Sequence, residues 1–233
     1  VVVAHDEVRA HRPRGQLPTG PLGEAAAEQV LVEVEPYARV FADWLGQATR
    51  EDPDVASRGV VIDGARVHGR IADVYPHGLV RAHVGALNGP AVLRHGLDAL
   101  LLNACGVPVP LVQIHDGADG IRAYVTPARS VDEAQAALRV LLALRRDGLR
   151  APLPFAPHTG WAIHTADPAL RAEAAREAWY PGDYRWGEST GDAIQLAFRG
   201  RDPLADAEGM AAFIDTSLRV FAAVRGDGPE DAA

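Results

Sequence analysis

Lysine is absent: the 23 basic residues among 233 are all arginine. That excludes every chemistry needing an ε-amino group, including Schiff-base catalysis, the phosphate-cradling lysine of the P-loop and the terminal lysine of the common metal-dependent nuclease signature. Cysteine is almost absent too. A lone Cys105 rules out an internal disulfide and a four-thiolate zinc site, and fits a reducing compartment. No apolar run approaches the ~18 residues of a membrane span, and the opening VVVAHDEVRAHRPRG lacks the basic-then-apolar order of a secretory signal. The expectation is a soluble, cytoplasmic chain. It opens on Val1 in mid-pattern, as a piece of something longer would.

Aromatic residues make up only 6%, whereas glycine (23) and proline (17) are plentiful, which calls for many turns. With 48% hydrophobic residues the chain can bury an ordinary core, and its length suits one large domain or one domain with an appendage. The net charge of −8 is unevenly placed: −6 over residues 24–54 and −5 over 202–233, against +3 over 55–150. Without a basic stripe, an autonomous, tight duplex-binding module is disfavoured, while one wall of a shared channel stays open.

Residues 21–34 read as a helix with small and apolar residues on one side, and Pro36 kinks it or restarts a second helix through Trp44. In GVVIDGARVHGRIADVYPHGLVRAHV, residues 59–84, β-branched residues alternate with polar ones, and Asp63-Gly64 and His77-Gly78 sit where turns belong; this predicts a three-stranded meander. Residues 91–104 form a buried helix, and 109–115 with 120–126 a strand pair around Asp116-Gly117. Ser130 and Glu133 make a capping box for a helix with Leu138, Leu141, Leu142 and Leu144 on its apolar side and Gly148 at its stop. APLPFAPHTGWA reads as a loop packed through Phe155 and Trp161, residues 169–179 as a short helix and 194–198 as a short strand. A final amphipathic helix carries Met210, Phe213, Ile214, Ser217, Leu218 and Phe221. The order describes an α/β or α+β fold, a mixed central sheet flanked by helices. It divides into an arm over 1–20, a domain over 21–225 and an acidic, disordered tail over 226–233.

Three familiar sites fail on inspection. GESTG, residues 187–191, has the letters of a hydrolase nucleophile elbow, but a turn-like WYPGDYRW precedes Ser189 and a strand-like DAIQLAF follows it. Cys105 ends an apolar helix, where a free thiol is a small core residue. The nine histidines contain no HExxH. Mg²⁺-dependent phosphodiester hydrolysis needs carboxylates to hold the ion and a cation or other donor beside them. The meander has the shape for that chemistry without its residues.

LPTGPLGEAAAEQVLVEVEP, VVIDGARVHGRIADVYPHGLVRAHVG, RRDGLRAPLPFAPHTGWA, AREAW and QLAFRGRDPL resemble, in this order, the C-terminal region of RecC, the gamma subunit of exodeoxyribonuclease V. The likeness runs over residues 16–221. It implies a degenerate PD-(D/E)xK, restriction-endonuclease-like fold related to the active domain of RecB. The acid of Gly-x-x-Asp and the acid and lysine of Asp-x-Lys that active relatives carry on this meander fall near Ala72, Arg81 and His83. Arg81 places a positive charge where an ion ligand belongs. Asp73 becomes the first ligand only through a one-residue shift, which turns a strand side chain to the opposite face. A Gln-x-x-x-Tyr pair of active relatives falls near Gly96 and Leu100, and no histidine occupies residues 20–34.

The resemblance therefore implies a domain without catalytic residues, metal or cofactor of its own, in a helicase–nuclease whose partner subunits use ATP and Mg²⁺. Its partners would be RecB and RecD, with double-stranded DNA ends and unwound single strands as the cargo. The residues best suited to phosphate contacts are Arg66, Arg70, Arg145, Arg146, Arg150, Arg199 and Arg201, since a guanidinium fork binds two oxygens at once. Arg199 and Arg201, with Asp202, are equally suited to hold the PLPF loop onto the body. The competing expectation is a divergent, active Mg²⁺-dependent exonuclease, for which Asp63, Asp73 and Asp116 would have to converge.

Overall fold

The computed structural model describes residues 20–46, 54–226 and 231–232. The expected arm, except Gly20, and the expected tail, except Gly226 and the backbone of 231–232, lie outside them.

Asp63 and Gly64 take positive φ of 48° and 79°, the pairing a type I′ turn requires. They fix the hairpin of β1 (Asp54–Ile62) and β2 (Ala65–Tyr75) in the register Ile62↔Ala65 to Ala56↔Ile71. At Asp73, φ is 60°, a left-handed value that asparagine and aspartate tolerate better than most residues. There β2 bends, the β1 register slips between Asp54 and Ala56, and β3 (Gly78–Ala86) pairs with β2 only through Val74↔Leu79 and Tyr75↔Gly78. The predicted meander is present, but its second and third strands splay apart.

From β3 the chain crosses through α2 (Gly89–Ala104) to β4 (Leu111–Gly117), which lies parallel to β3. A tight turn leads back along β5 (Gly120–Thr126), and a two-residue β6 (Asp231–Ala232) follows, giving the order β1-β2-β3-β4-β5-β6. This turn is centred on residues 118–119, two beyond the expected place, because Gly117 and Gly120 pair as the last rung. The sheet is mixed and flanked by helices, as expected.

One sheet face is covered by α1 (Pro21–Leu45), whose Tyr37 packs with Val80, Val112, Ile114 and Ala123. The Tyr37 hydroxyl accepts a hydrogen bond from the Gly85 N–H at 2.7 Å. The helix runs unbroken through Pro36 instead of restarting there. Pro36 and Val32 are both exposed, so the carbonyl that loses its partner lies within reach of water. The other face packs on α2, backed by α3 (Val131–Gly148) and α7 (Ala207–Arg225). The Ser130–Glu133 capping box forms as predicted.

Beyond α3 the structure corrects three expectations. Half of APLPFAPHTGWA is helix: α4 spans Pro157–Thr165, with Pro157 in its first turn, where a missing N–H costs nothing. Its cap comes from Glu188, which is 3% exposed and accepts the N–H groups of His158 at 3.0 Å and Thr159 at 2.6 Å. Residues 192–198 form α6 (Asp192–Phe198) and not a strand. A short apolar run fits either state, and here Gly191 and Asp192 begin a helix. Ser189 thus has a helix after it, but a turn and no strand before it, so the elbow is missing for half of the expected reason.

Arg199 and Arg201 do not hold the PLPF loop: both are exposed and make no side-chain hydrogen bond or ion pair among the described residues. Arg199 closes α6 in the left-handed conformation, φ 50°. Asp202 accepts from Trp179 Nε1 at 3.1 Å, the Tyr180 hydroxyl at 2.6 Å and the Leu204 N–H at 2.9 Å. It thereby ties the end of α5 (Arg171–Trp179) to the approach to α7. The hydrogen bond to Asp202, then burial, pushes the Tyr180 phenol up to about 12. The loop is held by the Glu188 cap and by Phe155, whose ring lies 6.1 Å from that of Phe221. Glu188→Ala should therefore cost about 2 kcal/mol, the sum of a lost cap and two stranded donors. Denaturant unfolding of the variant checks this; a loss within error of zero contradicts the tertiary cap.

Candidate functional site

Period two along β3 and β4 places Leu79, Arg81 and His83 on the α2 side of the sheet, with Leu111, Gln113 and His115 beside them. The layer begins apolar, around Leu79, Leu111, Leu101 and Leu102. Further along it turns polar: Gln113, His115 and His95 are 3%, 7% and 7% exposed. Burying such groups is tolerated only when they are paired.

Arg81 is the centre of this region. The bend at Asp73 opens the space between β2 and β3, and the guanidinium fills it. Nη1 donates to the carbonyl oxygens of Ala72 and Val80, both at 2.9 Å, and lies 3.4 Å from Asp73 Oδ2. Nη2 donates to Asp98 Oδ2 at 2.7 Å, with Nε at 3.3 Å from the same oxygen. One fork thus gathers two carboxylates and two backbone carbonyls, a mixed oxygen set of the kind that hard divalent ions favour. The positive charge in that set is already the protein's own.

Three histidines surround this group. Asn88 caps α2 by accepting the Ala91 N–H on Oδ1 at 3.0 Å, so its Nδ2 donates to His83 Nε2 at 3.2 Å and the His83 proton belongs on Nδ1. Gln113 Nε2 donates to His95 Nδ1 at 3.0 Å, which leaves the His95 proton on Nε2. Burial, and then the charges of Arg81 and Arg94 with smaller effects of His83 and His115, hold His95 down at about 4. His115 Nδ1 donates to the Asp116 carbonyl at 3.2 Å, and its ring stacks on Tyr124 with centroids 4.3 Å apart. Its Nε2 is buried with no hydrogen-bond partner among the described residues.

The structure therefore brings together Ala72, Asp73 and Arg81, with His83 two residues along the same face of β3. Gly96 and Leu100 are buried among apolar side chains, Gly96 against Val224. The three acids expected to converge in an active nuclease do not. Asp63 sits in the β1–β2 turn, 3.4 Å from Arg139, Asp73 faces Arg81, and Asp116 is exposed at the end of β4 on the α1 side. Among the described residues no group of three or more His, Cys, Asp or Glu side chains is arranged to hold a metal ion.

Asp98, His95, Asn88, Gln113 and His115 join the site only in the structure. The sequence does carry a signal for them: a histidine and a carboxylate inside the apolar run of α2, and glutamine and histidine two apart in the apolar strand LVQIH. The candidate phosphate-binding arginines stand on separate elements. Arg66 and Arg70 point from the exposed face of β2, and Arg145, Arg146 and Arg150 lie at the exposed end of α3, Arg150 within 4.0 Å of Asp147. Arg199 and Arg201 flank the turn after α6. No helix among the described residues is long and apolar enough to cross a membrane.

The family model described as the RecC C-terminal domain matches residues 4–168. The match takes in β1 to β5, α2 and the region around Arg81, and ends before β6, AREAW and QLAFRGRDPL. No curated protein matches the chain.

Proposed function

Because the chain belongs to the RecC C-terminal domain family, and so to a component of the RecBCD complex with RecB and RecD, we propose that it is a noncatalytic, nuclease-like scaffold domain. In that complex it would form part of a DNA channel during processing of double-strand ends and dock RecD, in the cytoplasm, with residues 21–225 as the working unit. One observation carries the noncatalytic part: the Arg81 guanidinium lies among the oxygens of Asp73, Asp98 and Ala72. A divalent ion brought there would face a fixed like charge and would have to displace three hydrogen-bonded contacts. On this reading the PD-(D/E)xK framework is kept and its cation is supplied by a side chain.

The DNA-handling part is supported by exposed arginines whose forks are free of carboxylates. Arg66, Arg70, Arg145 and Arg146 have no ion-pair partner among the described residues, so each can take a phosphate. The decisive assay is cleavage of linear duplex with Mg²⁺ or Mn²⁺ by the subunit carrying this domain, without RecB. No cleavage is expected. Cleavage that disappears in Asp73→Ala would overturn the proposal.

A further inference from the structure

The segment between α5 and the Glu188 turn, YPGDYRWG, is built to hold an aromatic tip in solvent. Gly182 and Arg185 form a single antiparallel bridge, the Gly182 N–H donating to the Arg185 carbonyl at 3.0 Å. The two residues between them, Asp183 and Tyr184, make the tip. Tyr184 is fully exposed, and Trp186 beside it is 57% exposed.

The base of this hairpin is fixed from several sides. Gly187 passes flush against the backbone of Trp179, Tyr180 and Pro181, so close that a Cβ there would stand 2.2 Å from the Pro181 nitrogen. Tyr180 is bonded to Asp202 and Arg185 to Glu177, at 2.6 Å each. Trp186 meets the His158 ring edge-on at 5.6 Å, and the next residue but one, Glu188, is the buried cap of α4. A tyrosine presented from so firm a base loses little further freedom when it is covered, which is the property of an interface anchor. Tyrosine, tryptophan and arginine are also the residues that dominate binding energy at protein interfaces.

Charge decides the class of partner. The cation of the hairpin, Arg185, is paired with Glu177, and Asp183 at the tip makes no ion pair among the described residues. A base stacked on Tyr184 would bring its phosphates towards Asp183 at the tip, unlike surfaces that line a single strand with cations. Arg176, exposed and without an ion pair among the described residues, stands back beside Tyr180 at the hairpin base. We infer that the Asp183–Trp186 tip docks into a protein surface offering an apolar recess for the Tyr184 ring and a basic side chain opposite Asp183. This rests on the reading that the domain works inside a multi-subunit complex, and takes the surface to belong to one of its partner subunits.

The test reconstitutes the full subunit with RecB and RecD and measures retention of each partner by dilution in mass photometry. The variants are Tyr184→Ser with Trp186→Ser, and separately Asp183→Lys. Retention of one partner should weaken about tenfold or more in the aromatic pair, and also in Asp183→Lys, whose melting temperature should match wild type because Asp183 is exposed and makes no ion pair among the described residues. Wild-type retention of both partners in the aromatic pair would overturn the inference. So would a photo-crosslinker at position 184 that labels DNA and not protein. Failure of the wild-type subunit to assemble at all would instead sink the scaffold reading on which the inference stands.

Discussion

Replacing Arg81 by alanine should lower the stability of the chain by about 3 kcal/mol, the usual cost of removing one partner from a largely buried charge network. For a domain of this size that is a fall of about 6–12 °C in melting temperature. Arg81 has only 14% of its side chain exposed, and its loss strands Asp98 on α2, Asp73 at the bend and the carbonyls of Ala72 and Val80. Those four groups lie on three elements that otherwise touch little: β2 and β3 share only two paired positions. The guanidinium thus replaces part of a missing ladder. Arg81→Lys should recover less than half of the loss, because an ammonium cannot span two carboxylates and a carbonyl with fixed geometry. Thermal unfolding of wild type and both variants at low and high salt checks this. Equal stability of lysine and arginine would show that charge alone matters there, and an unchanged alanine variant would show that the network contributes nothing.

The second large effect is loss of stability in mild acid. His95 binds its proton at about 4 in the folded chain, below the ordinary 6.5, so the unfolded chain takes it up first. A base depressed on folding is neutral in both states above its ordinary value and costs nothing there. As pH falls through 6.5 towards 4 the unfolded state gains a proton the folded state refuses, and stability drops. The full cost, reached near pH 4, is up to about 3 kcal/mol, since each pH step of one between the two values is worth about 1.4 kcal/mol. Protonation would also set the His95 Nδ1 proton against the Gln113 amide donor, and Arg81 adds repulsion. His164, lowered by burial and then by Arg225 and Arg171, acts in the same direction. His95→Gln should flatten the decline between pH 6.5 and 4, while carboxylate contributions elsewhere stay the same in both chains. If the glutamine variant loses stability as steeply as wild type, the buried imidazole is not the acid-sensitive group.

Local signals make most elements legible. The Asp63-Gly64 turn, the Ser130–Glu133 box and the apolar spacing of α2 and α7 are decided within a few residues, and the folded chain keeps each of them. The segments that depart from expectation depend on distant partners. Pro157 looks like a breaker until Glu188, some thirty residues later, supplies the cap that makes it a helix start. Residues 192–198 alternate well enough for a strand but have no strand to pair with among the described residues. At the candidate site, Ala72, Asp73, Arg81 and His83 can be grouped from sequence because they share one meander. Asp98 cannot, since its meeting with Arg81 is made by the crossover from β3 to β4. The bend at Asp73 is equally hidden, because it takes a positive φ at a residue other than glycine.

The seam between α2 and α7 bears on where this protein can be divided. Gly96 has no room for a Cβ because Val224 lies against it, and Val92 shares a cluster with Phe221 and Val224. The last helix is therefore the wedge that closes the rear of the sheet layer, although the family match stops at residue 168. A fragment trimmed to the shared segment would leave a trench along α2 lined by Val92, Gly96 and Leu100, so the smallest piece able to stand by itself reaches at least to Val224.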